Sequence, residues 1–170
     1  MVEMWIDEDY IRNLPRLLRT AESRIRISLY SVVLTGKSLK KSSSLLIDQL
    51  SNLSNHGIEC LVLFNMVAKG GYLKAQNQKA IAQLRRYGVQ TRKLVGSRIN
   101  HAKFVVIDNK AAIVGSHNWT QCSLRRNSEV SMLTDDPAAV KQLADNFDHL
   151  WKNSVKLKAE AGFPVSKEAQ

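Results

Sequence analysis

Apolar positions along the chain alternate between helical and strand periods. Residues Asp7 to Ala21 carry Ile11, Leu14, Leu17 and Leu18 at helical spacing, with Asp7 as the N-cap. Ile25 to Leu34 is rich in β-branched and apolar residues and predicts a strand, closed by a Thr35-Gly36 turn. Ser38 to Asn55 returns to the helical period and stops before Gly57, and Ile58 to Phe64 is a continuous apolar run expected of a buried strand. Gly70-Gly71 marks a loop, Tyr72 to Tyr87 a basic amphipathic helix stopped by Gly88, and Val89 to Leu94 a short strand. Phe104–Ile107 and Ala111–Val114 flank Asp108-Asn109-Lys110, which predicts a β-hairpin with a polar turn. Glu129 to Leu133 supplies one more strand, and Pro137 to Trp151 a last helix capped by Asp135 or Asp136.

Strands alternating with helices predict an α/β fold, a mixed β-sheet flanked by helices on both faces. A chain of 170 residues is one domain by length, here spanning 1–151. Residues 152–170 lose the apolar period and are expected to form a partly ordered C-terminal tail. No internal repeat is present.

Composition narrows the partner. The net charge is +10 and the pI about 9.8, which favours a polyanion, either nucleic acid or an anionic membrane surface. No acidic residue occurs between Glu59 and Asp108, whereas that stretch holds Arg85, Arg86, Arg92, Lys93 and Arg98 among nine basic residues. Singly these are solvated helix residues. As a group leading into the hairpin they are expected to track a substrate's phosphates. No apolar run approaches the ~18 residues a membrane span needs. The first ten residues, MVEMWIDEDY, are acidic where a secretory leader would be basic, so a cytoplasmic location is expected. Cys60 and Cys122 make neither a disulfide framework nor a zinc ligand set and are expected to pack.

The hairpin carries the chemistry. His101, Lys103, Asp108, Gly115, Ser116 and Asn118 spell H-x-K-x4-D-x6-G-S-x-N. Antiparallel pairing brings the His-x-Lys end of one strand beside the Gly-Ser-x-Asn end of the next, so an imidazole, an ammonium, a hydroxyl and an amide converge on a spot suited to a phosphate diester. The segment resembles the HKD motif of the phospholipase D superfamily. Asn127-Ser128-Glu129-Val130 and the upstream IRISLYSVVL also look like family features, and one motif in 170 residues most resembles the small bacterial endonuclease branch. The resemblance implies a phospholipase D-like half-unit that forms a two-fold homodimer.

In-line displacement at phosphorus needs a nucleophile on one side and a proton donor on the other, and one imidazole cannot serve both. His56 and His149 are expected to be surface or packing residues. His117 is the competitor for the second role, although an extended backbone turns it away from Ser116 and Asn118. The simpler solution is a second His101 from a two-fold partner. One His101 then attacks to form a phosphohistidine, as the resemblance also implies, while the other acts as acid and later base. Lys103, Asn118 and Ser116 are expected to hold the non-bridging oxygens, and Glu129 to orient a His101 ring. Asp108 belongs to the motif but sits at the hairpin turn, where bonding to nearby backbone competes with a catalytic role. No metal or other cofactor is called for, because lysine and amide donors take the charge-neutralising role.

The expected function is a metal-independent nuclease acting on DNA or RNA. The alternatives are a phospholipid hydrolase using the same residues, a non-catalytic nucleic-acid-binding module, and the nuclease component of a larger assembly.

Overall fold

The computed structural model describes residues 1–34, 42–65, 71–94 and 99–156. Eight strands form one sheet: β1 (Val2–Ile6), β2 (Arg24–Leu29), β3 (Glu59–Phe64), β4 (Gln90–Leu94), β5 (Lys103–Ile107), β6 (Ala111–Gly115), β7 (Val130–Thr134) and β8 (Ser154–Lys156). Their order is β1-β7-β6-β5-β2-β3-β4-β8. The β2-β3 and β3-β4 pairs are parallel and all others antiparallel, so the sheet is mixed as expected. Among the described residues five helices accompany it: α1 (Asp9–Leu18), α2 (Ser42–Asn55), α3 (Gly71–Arg86), α4 (Gln121–Arg125) and α5 (Pro137–Lys152).

Alternation along the central strands assigns the two faces. Ile25, Ile27, Cys60, Val62, Phe64, Val105 and Ile107 point toward α1, α2 and α3, which meet them with Leu14, Leu18, Leu46, Leu50, Ile81 and Leu84. On the other face Leu61, Leu63, Phe104, Val106 and Ala112 are covered by α5 through Val140, Ala144 and Phe147. That second face also holds Arg26, only 4% exposed, whose guanidinium grips Asp148 of α5 through two hydrogen bonds of 2.8 and 3.1 Å. A buried guanidinium needs such a partner, and this one ties α5 to the sheet.

The hairpin forms with the predicted polar turn. Asp108 and Asn109 both have positive φ, 49° and 55°, and Lys110 N–H closes the turn on the Ile107 carbonyl at 2.8 Å. Aspartate and asparagine tolerate this left-handed region better than most side chains, and the two-residue geometry matches strand twist. Asp136 caps α5 by accepting the Ala139 N–H at 2.8 Å.

Three elements escaped the sequence reading: β1, α4 and β8. β1 buries a single large side chain, Trp5, while Val2, Met4 and Ile6 stay exposed, so its period has no apolar contrast to reveal it. β8 pairs with β4 inside the stretch expected to be tail. Gly71, placed in a loop by sequence, opens α3. The Thr35-Gly36 turn, the first residues of the helix expected from Ser38, Gly70 and the tail beyond Lys156 lie outside the described residues.

Candidate active site

β2, β3 and β4 run parallel, and β5 returns against β2 with Phe104 opposite Ser28. The C-terminal ends of β2 and β3, the N-terminal end of β5, the C-terminal end of β6 and the N-terminal end of β7 therefore share one end of the sheet. Every residue of the H-x-K and G-S-x-N pairs lies there.

Lys103 stands directly across from Gly115. Its side chain is buried, and its ammonium approaches the His101 ring nitrogens at 3.0 and 3.1 Å and donates to the His101 carbonyl at 2.7 Å. Tyr30, just past β2, meets the His101 ring edge-on at 4.5 Å between centroids and lies 5.2 Å beneath the ammonium. Burial lowers the Lys103 pKa, and the nearby Glu129 charge opposes that shift.

The backbone before His101 is fixed by buried amides. Asn100 Nδ2 donates to Ser28 Oγ at 2.9 Å, and Ser28 Oγ donates to the Ala102 carbonyl at 3.1 Å. Asn65 Oδ1 accepts the Asn100 N–H at 3.2 Å, while Asn77 of α3 donates to the Asn65 and Tyr30 carbonyls and accepts the Val32 N–H. Strand ends leave orphan backbone groups, and these three asparagines satisfy them. The His101 segment is thereby tied to β2, β3 and α3 at once.

On the other strand, β7 presses against Gly115. A Cβ there would meet Ser131 Oγ at 2.2 Å and the Val130 carbonyl at 2.4 Å, so no other residue fits. Ser116 follows and donates to Glu129. The Glu129 carboxylate also accepts from Ser123 at 2.8 Å and Asn127 at 3.1 Å. Burial alone would raise its pKa, but the hydrogen bonds from Ser116, Ser123 and Asn127 outweigh that and hold it below the usual carboxylate range. Asn118 donates its backbone N–H to Ser123 Oγ at 2.8 Å, and its side-chain Oδ1 is buried with no hydrogen-bond partner.

Glu129 was expected against a His101 ring. Within the chain its hydrogen bonds go to Ser116, Ser123 and Asn127 instead, because β6 and its Ser116 lie between β7 and β5. Inside one chain its contacts run to the Ser116 hydroxyl and, through Ser123, to the Asn118 backbone. Ser123 and the asparagine scaffold were not singled out from the sequence, since isolated serines and asparagines carry no period or motif.

His117 turns into the core as its place between Ser116 and Asn118 predicts. It is 1% exposed, stacks on Tyr10 at 4.3 Å, and uses Nδ1 toward Ser131 Oγ at 2.7 Å and Nε2 toward the Asp7 carbonyl at 2.9 Å. Burial lowers its pKa against the pull of Asp7 and Glu129. With both nitrogens engaged inside the fold, it is not available to a phosphate. Asp7 in turn binds Glu129 through both backbone and side chain. His56 and His149 are exposed at helix ends.

Asp108 lies at the opposite end of β5 from Lys103. Its carboxylate accepts the backbone N–H groups of Glu22, Ser23 and Arg24 at 2.6, 2.9 and 2.7 Å, and the Ser23 hydroxyl at 2.8 Å. It staples the turn between α1 and β2. Those bonds, against burial, lower its pKa.

The basic residues divide. α3 runs back from the His101 end, so Arg85 and Arg86 in its last turn stand at the far end of the sheet, beside Gln90 at the start of β4. They do not lead into the motif in space as they do in sequence. Arg92 lies against Trp151 of α5, Lys93 one residue nearer the His101 end, and Arg98 is outside the described residues. Among the described residues no group of three His, Cys, Asp or Glu side chains comes together, and no helix is long and apolar enough to cross a membrane.

The family described as "Cardiolipin synthase, PLD-like domain" matches residues 14–151. Mitochondrial cardiolipin hydrolase from Homo sapiens is 32% identical over 78 residues, covering 46% of this chain and 31% of that protein. The Xenopus laevis protein of the same name is 33% identical over 91 residues, covering 54% and 43%. The chain thus spans less than half the length of these curated relatives. Among solved structures, the phospholipase D family member Nuc from Salmonella typhimurium superimposes with a TM-score of 0.76 at 15% identity, covering 94% of this chain and 100% of that one. NucT from Helicobacter pylori gives 0.77 at 18%, covering 92% and 99%. At those identities the structural likeness speaks for the fold.

Proposed function

The chain belongs to the phospholipase D-like family, and from that premise we propose that it is a metal-independent phosphodiesterase that cleaves DNA or RNA through a phosphohistidine intermediate, at a site completed by a second copy of the chain. The observation that carries the phosphodiester chemistry is the convergence of His101, Lys103, Ser116 and Asn118 at one sheet end, with the Lys103 ammonium against the His101 ring.

One His101 attacks phosphorus and the bond to the leaving oxygen breaks. The second His101, from the two-fold partner, gives that oxygen its proton. It then takes a proton from water, whose oxygen attacks the phosphohistidine and releases the first imidazole. Lys103 and the Asn118 amide stabilise the non-bridging oxygens. The fold leaves His101 alone in this task because His117 is held in the core by Tyr10, Ser131 and Asp7. Asp108 supports the fold and not the reaction.

Nucleic acid is favoured as substrate by the +10 charge and the stretch without acids between Glu59 and Asp108. A phospholipid diester is the second reading, favoured by the sequence likeness to proteins named cardiolipin hydrolase. The test is incubation of the purified protein with labelled single- and double-stranded DNA and RNA in EDTA, beside vesicles containing cardiolipin. Oligonucleotide cleavage with intact cardiolipin supports the first reading, and the reverse pattern replaces it with the second.

A further inference from the structure

Arg92 is held from behind. Its guanidinium lies 4.8 Å from the centre of the Trp151 ring, and Nη1 donates to the Trp151 carbonyl at 3.1 Å. Its Nε is buried and has no hydrogen-bond partner, a costly condition for a charged donor in a folded protein. Arg92 also lines a cleft of about 220 Å³ between the end of α3, β4 and β8, shared with Arg85, Gln90, Thr91, Trp151 and Lys156. Among the described residues no aspartate or glutamate lines this cleft.

Three cationic side chains, one of them fixed by an indole and carrying an unmet guanidinium N–H, suit a phosphate group. The cleft lies beside the β4-β8 pair that sets Arg92 opposite Lys156; through Leu63 and Ser28, Arg92 stands in the same row as Phe104, three strands across the sheet from the segment that carries His101. Strand rise and strand spacing put the two places roughly 20 Å apart. We propose that the cleft is a second phosphate-binding site, which takes a backbone phosphate of the nucleic-acid substrate away from the scissile bond. The inference rests on the nucleic-acid reading for the source of the phosphate. A four-nucleotide strand carries three phosphodiesters, too closely spaced to reach both sites.

Two measurements test it. The first titrates inorganic phosphate into the full chain and follows the three tryptophan indole N–H resonances: Trp151 reports the cleft, Trp119 the neighbourhood of Asn118, and Trp5 serves as control. A saturable Trp151 shift that disappears in Arg92→Lys and in Lys156→Glu is expected; no shift, or one that survives both substitutions, overturns the site. The second measures binding of a 20-nucleotide and a four-nucleotide single-stranded DNA as a function of salt, in a His101→Ala background that prevents cleavage. Lys156→Glu, on an exposed edge strand where the fold tolerates it, should weaken the 20-mer about tenfold and flatten its salt slope by about 1 while leaving the four-mer unchanged. An unchanged slope for the 20-mer, with Lys156→Glu instead releasing the protein from phosphatidylglycerol vesicles, overturns the nucleic-acid assignment. If the wild type binds no nucleic acid at all, the proposed function fails, and the Trp151 titration still decides the cleft.

Discussion

Ser123 gives its hydroxyl proton to Glu129 at 2.8 Å while its oxygen receives the Asn118 backbone N–H, also at 2.8 Å. One buried hydroxyl thus fixes both the carboxylate that holds Ser116 and the backbone of Asn118. Ser123→Ala leaves a buried N–H without an acceptor, which destabilises by about 1–3 kcal/mol. The expected kinetic result is a kcat about tenfold lower with KM little changed, because the substrate's other contacts persist. Steady-state kinetics on a labelled oligonucleotide beside a urea titration would check it, and an unaltered kcat would reduce Ser123 to a packing residue.

His101→Ala should abolish turnover and leave the urea midpoint close to wild type, since the ring is exposed. Mixing this variant with wild type under subunit exchange tests the composite site. Activity is expected to fall with the square of the wild-type fraction, because only wild-type pairs contain nucleophile and acid together. A linear fall, or an active monomer in sedimentation, would mean that one chain holds a complete site.

Asp108→Ala separates a motif residue from a catalytic one. Losing a carboxylate that takes four hydrogen bonds should cost about 2–3 kcal/mol at pH 7. The native pKa is lowered, so the stabilisation is full above the unfolded value of about 3.9 and is lost as pH falls through the lower native value. Wild type and variant should therefore converge in urea midpoint in strongly acid solution. A gap that persists there would assign the loss to something other than the ionised carboxylate.

His117→Gln probes the buried imidazole. Burial depresses its native pKa, so the neutral ring contributes its full stability above the unfolded value of about 6.5, and that contribution shrinks as pH drops toward the native value. The stability difference between wild type and variant should be largest near pH 8 and smaller at pH 5. Urea titrations at the two pH values measure it, and a constant difference would rule out a neutral His117 in the fold.

Activity should survive excess EDTA, since Lys103 and the side-chain amide of Asn118 supply the charge stabilisation in the proposed scheme. Complete loss that is restored by a divalent cation would overturn that scheme.

Much of this was legible in the chain. Apolar periods locate the central strands and the long helices because those elements are buried on one or two faces, and the spacing of the motif places His101 and Lys103 beside Ser116 and Asn118. What sequence order concealed was direction. Arg85 and Arg86 precede the motif by a short stretch of chain, yet the crossover after β3 carries them to the other end of the sheet. The asparagine scaffold under His101 and the cage around Glu129 were hidden for another reason: each joins polar residues from distant segments, and only the folded register shows which meet.

The tight turn at Asp108-Asn109 has a consequence for assembly. His101 and Ser116 are fifteen positions apart and meet through one hairpin, so uniting them costs only the closure entropy of a short loop. Hairpins close in microseconds, long before a sheet of eight strands is complete. The His101 end of the hairpin is thus among the most local parts of the topology, whereas Asp108 at the tip must wait for the α1-β2 turn to arrive. The motif aspartate would then act as the latch through which a preformed hairpin is accepted into the rest of the sheet.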